Sequence, residues 1–376
     1  MKIALSTPHM SDEGYEKEYV KYAFDTNWVA PLGENVTEFE NDMASYTGSN
    51  YAVALSSGTS AIHLGLKLLG VGKGDIVFCQ SFTFSGSCNP ITYCGATPVY
   101  IDSDAVSGNM SPIALKKAYK AYPNAKAVII VDLYGTSANY DQLIPIIREH
   151  NSGILEDAAE ALGGKYNGKY LGLHGDVGVL SFNGNKIITT SGGGMLLVKS
   201  KEEKEKAIFW STQSREKFPW YEHKEIGYNY RMSNVLAGIG RGQMKVLDKR
   251  VAKKVDIYNT YKKVFECSKY VKMFGEQQGC QPNRWLTVIS LENTKVKPMD
   301  VINMLAENGV ESRPAWKPMH LQPVFADCDF FSELDTGSNC ENIFNKSICL
   351  PSDTKTDLKD IEWVANLVKE FVEKNS

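Results

Sequence analysis

Between residues 51 and 198 the chain alternates two patterns. Short apolar, β-branched runs at 52–55, 75–79, 98–101, 127–133 and 154–156 predict strands. Stretches of helical period at 59–69, 86–94, 111–122 and 140–149 predict helices between them. Further runs at 179–182 and 195–198 extend the strand set. Strands separated by helices, with apolar runs that do not alternate, predict a largely parallel sheet covered on both faces. Ahead of it, 12–30 reads as helical and leads into a Pro31-Leu32-Gly33 turn, and 35–47 is amphipathic. Beyond it, helical segments cover 202–214 and 232–264, the second broken near Asp248. The remainder predicts strands at 285–291, 310–313 and 347–350 and helices at 299–308 and 358–373. The expected architecture is α/β: a large domain over 1–248 with an N-terminal helical segment, and a smaller α+β domain over 249–376.

Composition narrows the function classes. The formal charge of −3 gives no overall attraction to nucleic acid or an anionic membrane, though a local phosphate pocket stays open. No apolar run approaches the ~18 residues of a membrane helix, and the N-terminal apolar stretch ends by Leu5, too short for a secretion signal. None of the eight cysteines forms a CxxC pair. Without a signal peptide they read as reduced thiols in a cytoplasmic protein, with Cys79 and Cys94 as core filler. No metal site is expected.

Three segments carry chemistry. Asp157, in Leu155-Glu156-Asp157-Ala158-Ala159-Glu160, ends an apolar strand. Ligands of open α/β sheets gather at such carboxyl ends. A carboxylate there can hold a proton on a ring nitrogen, and the small alanines leave room for a flat ring. By itself Asp157 reads more readily as a turn or helix cap. Lys186 follows another strand end and is flanked by Asn183-Gly184 and Ser191-Gly192-Gly193-Gly194. A lysine in such a pocket can become a Schiff-base nucleophile, although most lysines are simply solvated. Ser56-Ser57-Gly58-Thr59-Ser60-Ala61 joins a strand to a helix, which makes it an anion site or a plain Ser/Thr cap. Gly70-Val71-Gly72-Lys73-Gly74 ends a helix and lacks dinucleotide spacing, so it reads as a turn. Taken in order on one α/β domain, the three segments are the protein parts that pyridoxal 5'-phosphate (PLP) needs.

These segments resemble the DegT/DnrJ/StrS family of nucleotide-sugar aminotransferases. The likeness rests on Ser57–Ala61, Glu156–Glu160, Ser181–Lys186, Gly192–Gly194, Gly227–Ser233 and Arg313–His320, and spans essentially the whole chain. It implies a fold-type I PLP-dependent transferase working as a homodimer with shared active sites. In that reading Lys186 anchors the cofactor and Asp157 binds its pyridine nitrogen. Gly58, Thr59 and Ser181 hold the phosphate, Phe82 stacks on the ring, and Asn229 reaches the phosphate from the partner subunit. Asn185, Arg231, Trp316 and His320 fall on the substrate side. Glu160 stands beside the cofactor's phenolic oxygen where many members have Gln, which leaves its role open. A dehydratase branch carries His at the lysine position, so Lys186 favours transamination. The implied reaction moves an amino group from L-glutamate to C4 of a UDP-linked 4-keto-6-deoxy-N-acetylhexosamine. A C3 transferase, another nucleotide, or a PLP-binding regulator without turnover remain alternatives.

Overall fold

The computed structural model describes residues 3–376. Two helices, α1 (Tyr15–Asp25) and α2 (Glu34–Thr47), precede the first strand. The alternating region follows as β1 (Tyr51–Leu55), α3 (Gly58–Leu68), β2 (Ile76–Gln80), α4 (Ser85–Tyr93), β3 (Thr97–Ile101), α5 (Pro112–Ala121), β4 (Ala127–Val131), α6 (Tyr140–Glu149) and β5 (Gly153–Asp157). A small hairpin, β6 (Lys165–Tyr166) and β7 (Lys169–Tyr170), leads to β8 (Val177–Ser181) and β9 (Gly194–Val198). Helices α7 (Lys201–Ser211), α8 (Asn234–Met244) and α9 (Leu247–Phe265) follow. The rest contains β10 (Val271–Met273), β11 (Cys280–Gln281), β12 (Thr287–Leu291), α10 (Pro298–Glu307), β13 (Arg313–Pro314), β14 (Phe330–Phe331), α11 (Asn339–Lys346), β15 (Ser347–Leu350) and α12 (Leu358–Asn375).

The main sheet has eight strands in the order β1-β9-β8-β5-β4-β2-β3-β14. Its pairs are parallel from β8 to β14, and only β9 runs against its neighbours β1 and β8. Every residue of β4 and β9 is buried, which explains apolar runs without alternation. Asp157 pairs with Val131 and Val179 at the carboxyl ends of three adjacent parallel strands. That register brings the chemistry-bearing loops to one sheet edge.

The break expected near Asp248 in 232–264 falls between Met244 and Leu247. Asp248 lies in the first turn of α9, where the helix dipole favours a carboxylate, and accepts a hydrogen bond from Tyr46 Oη at 2.8 Å. The strand expected at 310–313 begins only at Arg313; Val310 instead forms an isolated bridge to Ile3. The two-residue strands β6, β7, β11 and β14 were not expected, since two residues carry no period to read.

Burial divides into two clusters. One surrounds the main sheet; the other joins Ile3, Ile257, Tyr261 and Phe265 to β12, α10 and α12. We keep 248/249 as the proposed domain boundary. Two exchanges cross it: Ile3 packs with the second cluster, while Trp285, Phe325 and β14 pack on the first.

Candidate active site

A cavity of about 280 Å³ opens where β5, β8 and the start of α3 converge, with Gly58, Thr59, Asp157, Ser181 and Lys186 in its wall. At its floor, Ser57 and Ser60 cap each other: Ser60 N donates to Ser57 Oγ at 3.0 Å, and Ser57 N to Ser60 Oγ at 3.0 Å. With those donors satisfied, the first-turn amides of Gly58 and Thr59 remain for a ligand. As helix-start donors they have no intrahelical acceptor, and the helix dipole adds positive potential there. The backbone crowds this point. A Cβ on Gly194 would come within 2.3 Å of Ser57 C and O, and one on Gly58 within 3.2 Å of Ser181 Cβ. Glycine is therefore what lets β9 press against the helix start.

On the opposite side Asp157 is 3% exposed. Ser87 Oγ donates to its Oδ2 at 2.7 Å and Ala159 N to its Oδ1 at 3.1 Å. Burial pushes its carboxyl above the usual range, while Ser87, Ala159 and the Lys186 charge pull it back. Lys186 Nζ lies 3.5 Å from Glu160 Oε1 and 4.1 Å from the centroid of the Trp285 ring. The Lys186–Glu160 pair is buried, both side chains being under 15% exposed. Glu160 Oε2 accepts from Tyr134 N at 2.7 Å, and Asn283 Nδ2 donates to the Glu160 carbonyl at 2.8 Å. Burial raises the Glu160 carboxyl to about 7, opposed chiefly by Lys186. Tyr134 delivers its amide from a left-handed conformation, φ 54°, a cost that the surrounding packing must offset.

The sequence-expected residues fall into three groups. Gly58, Thr59, Asp157, Glu160, Ser181, Asn185, Lys186 and Trp316 all line the cavity. Phe82, Arg231 and His320 do not. Phe82 is fully buried and packs edge-on against Tyr134; Phe84 lines the cavity in its place, 5.2 Å from Trp316 between ring centroids. Arg231 is committed to Glu40 and the Ala54 carbonyl, so its charge is already neutralised. His320 stacks on Phe330, bonds Ser81 Oγ through Nδ1 at 2.7 Å and pairs with Glu341 through Nε2 at 3.2 Å, which spends both ring nitrogens outside the cavity. Asn229 forms the third group: it is exposed, bridged to Thr212, and outside the cavity of its own chain.

Sequence reasoning missed Ser87, Phe84, Trp285 and Tyr134. Phe84 carried a signal, being two residues from Phe82 in an irregular segment. Trp285 and Tyr134 carried none, because they arrive from remote parts of the chain.

A model of the DegT/DnrJ/EryC1/StrS aminotransferase family matches residues 11–369. The chain belongs to this family of aminotransferases, and its fold is that of solved family members. It is 49% identical over 355 residues to EpsN of Bacillus subtilis (strain 168), provisionally named a pyridoxal phosphate-dependent aminotransferase; the match covers 93% of this chain and 91% of EpsN. It is 33% identical over 358 residues to a GDP-perosamine synthase of Escherichia coli O157:H7, covering 95% and 96% of the two chains. It is 29% identical over 350 residues, 91% of each chain, to a UDP-4-amino-4,6-dideoxy-N-acetyl-beta-L-altrosamine transaminase of Campylobacter jejuni subsp. jejuni serotype O:23/36 (strain 81-176).

PLP fits the residues present. The glycine-dependent contact at the start of α3 suits a phosphate, the buried Asp157 carboxyl suits a cationic ring nitrogen, and the Lys186 amine in the same cavity suits an aldehyde.

Proposed function

We propose that the protein transfers an amino group from L-glutamate to C4 of a UDP-linked 4-keto-6-deoxy-N-acetylhexosamine, as a cytoplasmic homodimer. The observation that carries the reading is the meeting of the α3 N-terminus, the Asp157 carboxyl and the Lys186 amine on one cavity. When bound, PLP supplies an aldehyde carbon that captures amines and a ring that takes up the electron pair released at the neighbouring carbon.

The chain's own residues do the rest. Gly58, Thr59 and Ser181 hold the phosphate. Asp157, kept in place by Ser87 and Ala159, holds a proton on the ring nitrogen. Phe84 and Trp316 wall the ring and exclude water. Lys186 Nζ would take the proton from the donor Cα and, in the second half, deliver a proton to C4 of the sugar. Water would supply the oxygen that leaves in 2-oxoglutarate, and the keto oxygen of the sugar would leave as water as the amino group is taken up. Such proton transfer contributes about 10²–10⁴-fold.

Support for the UDP sugar comes from the Glu160-containing motif and from the name of the Campylobacter relative. The name of the Escherichia relative favours a second reading, a GDP-linked sugar.

The test is the visible absorbance of the protein loaded with PLP. L-glutamate is expected to remove the band, and after excess donor is washed out, UDP-2-acetamido-4-keto-2,6-dideoxyglucose is expected to restore it. Restoration only by a GDP-linked keto sugar would replace the UDP reading. A protein that never develops the band refutes Lys186 as the anchor.

A further inference from the structure

Lys254 is a buried amine that the reaction does not use. It lies on α9, 2% exposed. Its Nζ donates to the Trp285 carbonyl at 2.9 Å and to Ser6 Oγ at 3.2 Å, both neutral acceptors. Each of those residues is tied in turn to Asn185. Trp285 Nε1 donates to the Asn185 carbonyl at 2.7 Å, and Ser6 Oγ donates to the same oxygen at 3.1 Å. The hydrogen bonds therefore close a ring through the N-terminal arm, the turn before Lys186, the entry to β12 and helix α9. Asn185 directly precedes Lys186, and Trp285 carries the ring over which Lys186 Nζ sits.

The arm itself is pinned. Thr7 N donates to Asp353 Oδ2 at 3.0 Å, Lys355 Nζ to the Pro8 carbonyl at 3.0 Å, and Arg250 to the His9 and Met10 carbonyls. A lysine with only neutral hydrogen-bond acceptors is a costly way to fill a core; burial pushes its amine down to about 7 against the opposing charge of Asp353. An apolar side chain of equal length would pack at less cost. What the amine adds is a directed hold on the Trp285 carbonyl and Ser6 Oγ, the two residues whose own donors bond the Asn185 carbonyl beside Lys186.

We propose that Lys254 is a positioning residue for Lys186: by holding the Trp285 backbone and Ser6, it fixes the Asn185 carbonyl and the Trp285 indole that set the reactive amine's approach to its partner carbon. The proposal rests on Lys186 being the cofactor-anchoring amine.

The experiment follows the rate at which apoprotein captures PLP, read from visible absorbance, in wild type, Lys254→Met and Ser6→Ala. Inorganic phosphate serves as competitor. Lys254→Met is expected to slow capture about tenfold through a misplaced amine. Its inhibition constant for phosphate should stay within about twofold, because α3 and β9 are untouched. Ser6→Ala, which loses one neutral link, is expected to slow capture about fivefold. Capture by Lys254→Met at the wild-type rate overturns the proposal. So does a slowing matched by an equal loss of phosphate affinity, which marks general damage. If Lys254→Met does not fold, Ser6→Ala decides on the same two readouts. A wild type that forms no band refutes the anchoring role of Lys186, and this proposal with it, whereas a normal wild type with normal variants refutes this proposal alone.

Discussion

Asp157 and Glu160 sit three residues apart on one buried segment, yet their surroundings assign them different work. Asp157 takes hydroxyl and amide donors on both oxygens. Glu160 takes one amide and otherwise faces Lys186. Asp157→Asn keeps the shape but cannot hold a positive charge on the ring nitrogen. It is expected to retain PLP and lose kcat by about 10²-fold or more, checked by spectrum and steady-state kinetics. Glu160 gives a pH signature. Its folded carboxyl is raised to about 7, above the unfolded value, so the folded state binds more protons between the two. Stability falls as pH rises through that window, and above about 7 the full cost is present. Glu160→Gln removes the titration. In the apoprotein, its Tm relative to wild type should rise from pH 5 to pH 8, each pKa unit being worth about 1.4 kcal/mol. A constant Tm difference across that range would show that Glu160 titrates normally.

At the scale of elements, the site depends on how closely β9 approaches the start of α3. Gly194→Ala would drive a Cβ into the Ser57 backbone, and neither strand nor helix can shift without breaking the sheet pairing with β1 and β8. The expected outcome is about 1–3 kcal/mol of lost stability and weaker PLP binding from a displaced first turn. Thermal melts and equilibrium dialysis check the two parts separately. The strand ends hold a second buried carboxyl pair beside the site. Asp132 takes the Tyr140 hydroxyl, while Glu156 receives the amides of Gly172, His174 and Gly175. Burial and the Glu156 charge keep the Asp132 carboxyl well above its usual range. These elements were legible because their apolar runs are long enough to show a period. The Tyr134 turn was not, because a left-handed tyrosine breaks local preference and survives only through its packing against Trp285 and Trp316.

At the scale of the whole molecule, two short segments expose large apolar side chains. Trp28, Val29 and Leu32 are about half exposed, and Trp220, Tyr221 and Ile226 more than half. Exposure on this scale marks an interaction face, in keeping with the proposed homodimer. If Asn229 completes the partner's site, Lys186→Ala and Asn229→Ala should each be poorly active alone. Mixed after partial unfolding and refolding, they should recover roughly a quarter of wild-type activity, since half the dimers would be hybrids with one intact site. Activity that stays at the average of the two pure variants would place Asn229 outside the partner's site. The sequence by itself determined the alternating architecture, the order of the three chemical segments, and Lys186 and Asp157 at strand ends, because these follow from local period and short-range motif. Only the tertiary structure decided which aromatic ring faces the cavity, that Arg231 spends its charge on Glu40, and that Ser6 and Trp285 meet at Asn185 with Lys254 bonded to both. Those outcomes depend on contacts between segments tens to hundreds of residues apart, and a side chain's partner at that separation is fixed by packing, which no local pattern encodes.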